Sequence, residues 1–304
     1  MKLVLYDDYR LGLLLGESVV DVSSVAEGLA HEPGTMMSRL IGKFDELRAT
    51  LEEHARTGTR IPISSVQLRP PLPKPGKIIC MAVNYMEYGT RSEPAPINAF
   101  LKATSSIIGP GETIILPDEE ANVFEHEAEL ALVIGKVGKN VKASDAYNYI
   151  FGYMNFIDGS ARGPGSPGMD NFFPGKSWHT FGPMGPAVVT ADEIPDPQNL
   201  NVRLWSNGVL RQDYPTSDMA HKIPRIIEWV SSVMTLEPGD VIACGTNHQG
   251  LGPLQDGDEL EMEIDGLGKL SGLKVKDDKK RSWPPETRAQ KAAREADAGT
   301  SASS

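Results

Sequence analysis

Apolar residues near the start of the chain come in short bursts. Leu3-Val4-Leu5-Tyr6, Leu11 to Leu15 and Ser18 to Val22 are separated by Asp and Gly, which predicts short strands joined by turns. From Met36 to His54 the period changes: Leu40, Phe44, Leu47 and Leu51 recur three or four apart, which predicts a helix with one apolar face. A break follows. Pro70-Pro71-Leu72-Pro73-Lys74-Pro75 places four prolines in six positions, and proline neither donates to a sheet ladder nor continues a helix. A stiff linker is therefore expected at 71–76, between a small N-terminal α/β domain (1–70) and a larger domain (77–275).

In the larger stretch strand patterns dominate. Asp258 to Ile264 alternates strictly, with Leu260, Met262 and Ile264 opposite Glu259, Glu261 and Glu263, as in a half-buried strand. Ile223, Ile226, Ile227, Val230, Val233 and Met234 mark one helix, with Pro224 tolerable only in its first turn. A second, short helix is expected from Ser144 to Tyr149, capped by Ser144. Leu236-Glu237-Pro238-Gly239-Asp240 is a turn feeding the strand Val241 to Cys244. The tail, 276–304, offers almost nothing to bury after Trp283 and is expected to be largely disordered from 284.

Composition narrows the class. With 304 residues, 40% hydrophobic and 23% charged, the chain is globular rather than fibrous or disordered. Lys+Arg 30 against Asp+Glu 41 gives a net charge of −11, which repels phosphate backbones and disfavours nucleic acid as a partner. No apolar run approaches the roughly 20 residues of a membrane span. The acidic pair Asp7-Asp8 comes too early for a secretory signal. Cys80 and Cys244 each lie in an apolar run, so two buried thiols and a cytoplasmic location are expected.

The candidate chemistry lies in carboxylates. In Phe124-Glu125-His126-Glu127-Ala128-Glu129-Leu130-Ala131-Leu132-Val133-Ile134, residues two apart share a strand face, which puts Glu127 and Glu129 side by side at about 7 Å between Cα atoms. Two such carboxylates repel unless a cation sits between them, and a hard divalent ion does this with oxygen ligands. Alone, such a pair is far more often a solvated strand end. Asp158 is less ordinary, because it ends the apolar run Phe151 to Ile157, where an acid is normally paired or metal-bound. An ion pair with Arg162 or a turn cap are its other readings.

A set of short motifs then adds up. Gly76-Lys77-Ile78-Ile79-Cys80-Met81-Ala82-Val83-Asn84-Tyr85, Glu127-Ala128-Glu129-Leu130, Phe151-Gly152-Tyr153 leading to Asp158 and Ser160-Ala161-Arg162, Gly175-Lys176-Ser177, Asn207-Gly208 with Arg211-Gln212, Thr216-Ser217-Asp218-Met219, and Leu236 to Asp240 with Gly245-Thr246 resemble, in this order, the fumarylacetoacetate hydrolase superfamily. The resemblance covers about two-thirds of the chain. It implies an α+β fold, a mixed β-sandwich roll with few helices, in a homodimer. It implies Mg²⁺ or Mn²⁺ held by Glu127, Glu129 and Asp158 and a small oxo carboxylic acid as substrate. Lys176 would hold the substrate's oxo and carboxylate oxygens, with Arg162 and Thr246 on the carboxylate side. The activity implied is hydrolysis of a carbon–carbon bond in a 1,3-dioxo acid, or decarboxylation, tautomerisation or hydration of an oxo acid.

The chain departs from the family at several points. Many members carry a His four residues after the Asn of Asn-Tyr and an acid three further on; here those places are Tyr88 and Arg91. The glutamine common after Ser-Ala-Arg has no counterpart in Gly163-Pro164-Gly165-Ser166. The candidates for a general base are therefore His248, His126, His179 and Glu87. His248 leads, because it sits two residues after Thr246 on a Gly-bounded loop and has a side chain suited to proton transfer near neutrality. His126 alternates to the face opposite Glu127. His221 suggests a helix start, while His31 and His54 read as surface residues. Tyr85, Tyr88 and Arg91 are expected to contact substrate from the Gly- and Pro-rich segment Tyr85 to Asn98.

Overall fold

The computed structural model describes residues 1–29, 32–164 and 171–301. His31 and Gly165-Ser166 lie outside them, as do 302–304. The apolar bursts at the start form the strands Lys2–Tyr6, Arg10–Leu15 and Ser18–Asp21, paired antiparallel in chain order. Their Leu3, Leu5, Leu11, Leu13 and Val20 pack in one buried cluster with Met37, Leu40, Phe44 and Leu51 of helices α1 (Met36–Gly42) and α2 (Phe44–Thr57). The single helix expected over 36–54 is thus two. Lys43, at φ −122° and ψ 14°, leaves the helical range, and Phe44 meets the Phe151 ring edge-on at 4.8 Å.

These first strands do not form a sheet of their own. Lys2–Tyr6 pairs antiparallel with Gly182–Thr190, Lys2 opposite Val189, so the leading segment extends the main sheet. Leu72, inside the proline-rich stretch, is buried in the same cluster as Leu3 and Leu40. Among the described residues this sheet has twelve strands. From Gly182–Thr190 it continues through Ile150–Ile157, Ala128–Ile134, Val241–Ala243, Ile78–Met81 and Ala99–Lys102. Every residue of Ala128–Ile134 is buried. Leu130, Leu132 and Ile134 enter one apolar cluster and Ala131 and Val133 another, so both faces of the strand are covered.

A second sheet of five strands, in the order Val209–Pro215, Asn201–Ser206, Glu259–Ile264, Gly268–Lys276 and Thr113–Ile115, shares the first of those clusters. Leu260, Met262 and Ile264 are fully buried there, as the alternation predicts. Val123–Glu125 and Ser160–Arg162 form a separate antiparallel pair, with Glu125 opposite Ser160. Few helices accompany the sheets: α3 (Phe172–Lys176) and α4 (Ile223–Val233) join the first two, and α4 buries Ile223, Ile226, Ile227 and Val230. The architecture is α+β.

Two expectations change. The segment expected to be a Ser144-capped helix is a 3₁₀ turn, Ala143–Tyr149, that starts after Lys142 and has no side-chain cap. The tail, expected to be largely disordered from 284, carries helix α5 (Arg288–Ser301). Its anchors are polar and aromatic rather than aliphatic, which hydrophobic patterning does not register: Trp283 meets the Phe124 ring at 5.8 Å, and Arg281 donates to the backbone oxygens of Pro117 and Glu119. Cys80 and Cys244 are free and buried. Among the described residues no helix is long and apolar enough to cross a membrane.

Candidate active site

Strand pairing gathers the three acids. Ala128 lies opposite Ile157, and the Asp158 N–H donates to the Glu127 carbonyl at 2.8 Å, so the start of one strand meets the end of its neighbour. Carboxylate oxygens of Glu127, Glu129 and Asp158 lie within 4.8 Å of one another, and all three side chains are buried. Two ammonium groups reach them. Lys176, the last residue of α3, donates to Glu127 Oε2 at 2.7 Å and Asp158 Oδ2 at 2.6 Å. Lys102, at the end of Ala99–Lys102, donates to Asp158 Oδ1 at 2.6 Å. Arg162 donates to Glu125 Oε2 at 2.6 Å and also to Glu127.

Glu129 is served differently. Among the described residues its only hydrogen-bond donor is the Gly245 N–H, at 2.8 Å. Gly245 has φ +87°, a backbone state that disfavours side chains, and a Cβ there would press on Met81 O at 3.2 Å. Burial, then the charges of Asp158 and Glu127, push the Glu129 carboxyl well above its ordinary range. Burial would raise Glu127 too, but Lys176 and Arg162 hold it well below. Burial would lower the Lys176 ammonium, and Asp158 and Glu127 raise it instead. One buried carboxylate thus lacks a compensating cation while sharing a site with two others. That donor set, all hard oxygen, fits a divalent ion.

An open cavity of about 1010 Å³ adjoins this floor. Glu127, Lys176, Arg162 and Thr246 line it, and so do His248, Glu87 and Arg91 from a different side of the sequence. His248 Nδ1 lies 2.7 Å from Glu87 Oε1. Gln249 Nε2 donates to Glu87 Oε2 at 3.0 Å, and Arg91 stands 3.3 Å from Glu87 Oε1. Burial would raise the Glu87 carboxyl, but the hydrogen bonds from His248 and Gln249 and the nearby charges bring it down to about 2. A carboxyl depressed in the folded state stabilises the protein above its unfolded pKa, about 4.3, and that contribution is lost as pH falls through the folded value. The stability difference between the native protein and Glu87→Gln is therefore expected to stay constant above about pH 5 and to shrink toward about pH 2. Urea titrations of both proteins across that range check it; a difference that grows on acidification would contradict the pairing.

The cavity gathers most of the residues singled out from the sequence. Arg162, Lys176, Thr246, Arg91 and His248 line it. Tyr85 and Tyr88 do not. Tyr85 is fully buried edge-on against Tyr214 at 4.9 Å, and its hydroxyl has no hydrogen-bond partner among the described residues. Tyr88 points outward, 57% exposed, with its hydroxyl on the Asp213 carbonyl. Of the other histidines, His126 is buried with Nδ1 3.1 Å from Gln212 Oε1, and burial lowers its pKa. His179 is exposed beside Ser105 O, and His221 holds Ala95 O at 2.8 Å rather than capping α4, which starts after Lys222. Thr246 accepts from Gln212 Nε2 at 2.7 Å, so the second sheet fixes its hydroxyl. Three contributions were missed: Lys102, Arg288 and the pairing of Glu87 with His248. Lys102 ends an apolar strand, a weak signal; Glu87 and His248 are 161 positions apart, and no local pattern joins them.

The fumarylacetoacetate (FAA) hydrolase C-terminal family model matches residues 77–273, and the chain belongs to that family. Similar proteins include the maleylpyruvate hydrolase of Aquipseudomonas alcaligenes, 35% identical over 89% of this chain and 98% of that protein. An oxaloacetate tautomerase of Rattus norvegicus is 38% identical over 84% of this chain and 83% of its own length. Among solved structures, a maleylpyruvate hydrolase from a Sphingobium species, in complex with manganese (II) ion and pyruvate, superposes with a TM-score of 0.82 at 36% identity, covering 91% of this chain and 99% of that one.

Proposed function

We propose that the protein is a divalent-metal-dependent hydrolase that cleaves a carbon–carbon bond in an acylpyruvate-like 1,3-dioxo acid. The observation that carries this reading is that Glu127 of the acidic triad and Lys176 line one cavity with the His248–Glu87 pair. Glu127, Glu129 and Asp158 would hold Mg²⁺ or Mn²⁺, and the ion would supply Lewis-acid polarisation of the substrate's oxo and carboxylate oxygens. Lys176 Nζ adds a fixed positive charge where negative charge develops as the bond breaks. Thr246, held by Gln212, offers its hydroxyl to the substrate carboxylate. The Glu87 carboxylate accepts from His248 Nδ1 and so leaves Nε2 as the basic nitrogen. Among the described residues no hydrogen bond uses Nε2, so it can take a proton from water. The hydroxide attacks the distal carbonyl, the electron pair of the cleaved bond passes to the pyruvate enolate, and protonation at carbon yields pyruvate beside the free acid.

The likeness to oxaloacetate tautomerases favours a second reading, in which the same floor moves a proton between carbon and oxygen without cleavage. Proton NMR in D₂O with Mg²⁺, a panel of acylpyruvates and oxaloacetate, with and without EDTA, separates the two. Pyruvate plus a free carboxylic acid, formed only without EDTA, is the expected result. Deuterium wash-in alone would overturn the hydrolase in favour of the second reading, and loss of CO₂ would overturn both in favour of a decarboxylase on the same floor.

A further inference from the structure

We propose that Arg288, brought to the cavity by the C-terminal segment, selects substrates carrying a second carboxylate on the tail; this rests on the oxo-acid reading above. Arg288 and Ala292, one turn apart on α5, line the same cavity as Lys176 and His248. Both lie beyond residues 77–273, the part that the family model matches. The approach to them is fixed at several points. Trp283 Nε1 donates to Asn122 O at 2.6 Å, and the Arg288 N–H donates at 2.8 Å to the carbonyl of Leu251, the residue after the His248–Gly250 turn.

The guanidinium is oriented as well as placed. Its Nε and Nη2 donate to Glu125 Oε1 and Oε2 at 2.8 and 2.5 Å, a two-point contact that fixes its plane. Nη1 has no hydrogen-bond partner among the described residues, and the side chain is 42% exposed, so a ligand can reach it. Charge points the same way. The groups lining the cavity are Arg91, Arg162, Lys176 and Arg288 against Glu87 and Glu127, an excess of two positive charges. Behind the lining, Lys102 balances Glu125, and a bound divalent ion would match Glu129 and Asp158, so the excess of two stands. A monocarboxylate then answers one positive charge and a dicarboxylate both.

Calorimetry in Mg²⁺ with 2-oxopentanoate and 2-oxoglutarate, which differ by one terminal carboxylate, tests the assignment. The native protein is expected to bind the diacid about tenfold or more tightly, the worth of one charge-assisted contact. Arg288→Ala is expected to lose that preference while keeping its affinity for 2-oxopentanoate. Arg294→Ala, which removes the exposed ion pair with Glu286 from the same helix, is expected to keep the preference. No preference in the native protein, its survival in Arg288→Ala, or its loss in Arg294→Ala would overturn the proposal. Turnover plays no part in this readout, so a failed hydrolase assay and a failed Arg288 assignment are seen separately.

Discussion

Neutralising one of the three clustered carboxylates is expected to end turnover and to separate activity from stability. Glu127→Gln and Glu129→Gln should each lower the rate by at least about a thousandfold, or about 4 kcal/mol of lost transition-state stabilisation, because a dication needs the full set of anionic oxygens. Their effects on the metal-free fold should differ in sign. Glu127 is matched by Lys176 and Arg162, and its loss leaves buried cations short of a partner. Glu129 has no cation of its own, and its carboxyl is pushed up in the folded state, so at neutral pH its ionised form opposes folding. Glutamine keeps an oxygen for the Gly245 N–H and removes that penalty. Metal-free Glu129→Gln is therefore expected to melt above the native protein and Glu127→Gln below it. Steady-state rates and melting curves in EDTA and in Mg²⁺ decide; an unchanged rate in either variant would remove that residue from the metal site.

His248→Ala is expected to slow hydrolysis by about 10²- to 10⁴-fold, the usual worth of a positioned base, while metal affinity barely moves. The reason is geometric. His248 is bonded to Glu87 on the cavity wall, and among the described residues its hydrogen bonds reach none of the three acids. Glu87→Gln keeps the ring and loses only its charged acceptor, so its effect should be smaller, and the double variant should be little worse than His248→Ala alone. Single-turnover rates alongside metal titration check this. A normal rate in His248→Ala would place the base elsewhere in the cavity, and a matching loss of metal affinity would make the histidine a support of the floor.

The floor of the site was legible in the sequence because its signal is local. Glu127 and Glu129 are spaced by a strand's period, and Asp158 ends an apolar run where an unpaired acid is costly. The wall was not. Glu87 and His248 come from loops far apart in the chain, and Arg288 lies where composition alone argues against order. Lys102 escaped notice because a lysine at a strand end is ordinarily solvated; only the fold shows Asp158 waiting beneath it. Tyr85 was misplaced for the converse reason: a tyrosine beside a motif looks available until an aromatic neighbour, Tyr214, closes over it. The helix over 36–54 split because periodicity fixes a face but not the bend at Lys43 that lets Phe44 meet Phe151.

The pairing of Lys2–Tyr6 with Gly182–Thr190 bears on how the molecule is made. The two strands are nearly two hundred residues apart in sequence, with Lys2 opposite Val189, and Val241–Ala243 then enters between strands formed much earlier in the chain. Closing loops of that size costs chain entropy before the contacts that repay it exist, so a topology rich in distant pairings folds slowly. Until Gly182–Thr190 arrives, the strand Ile150–Ile157 presents an open apolar edge, the kind of surface through which nascent chains associate with one another.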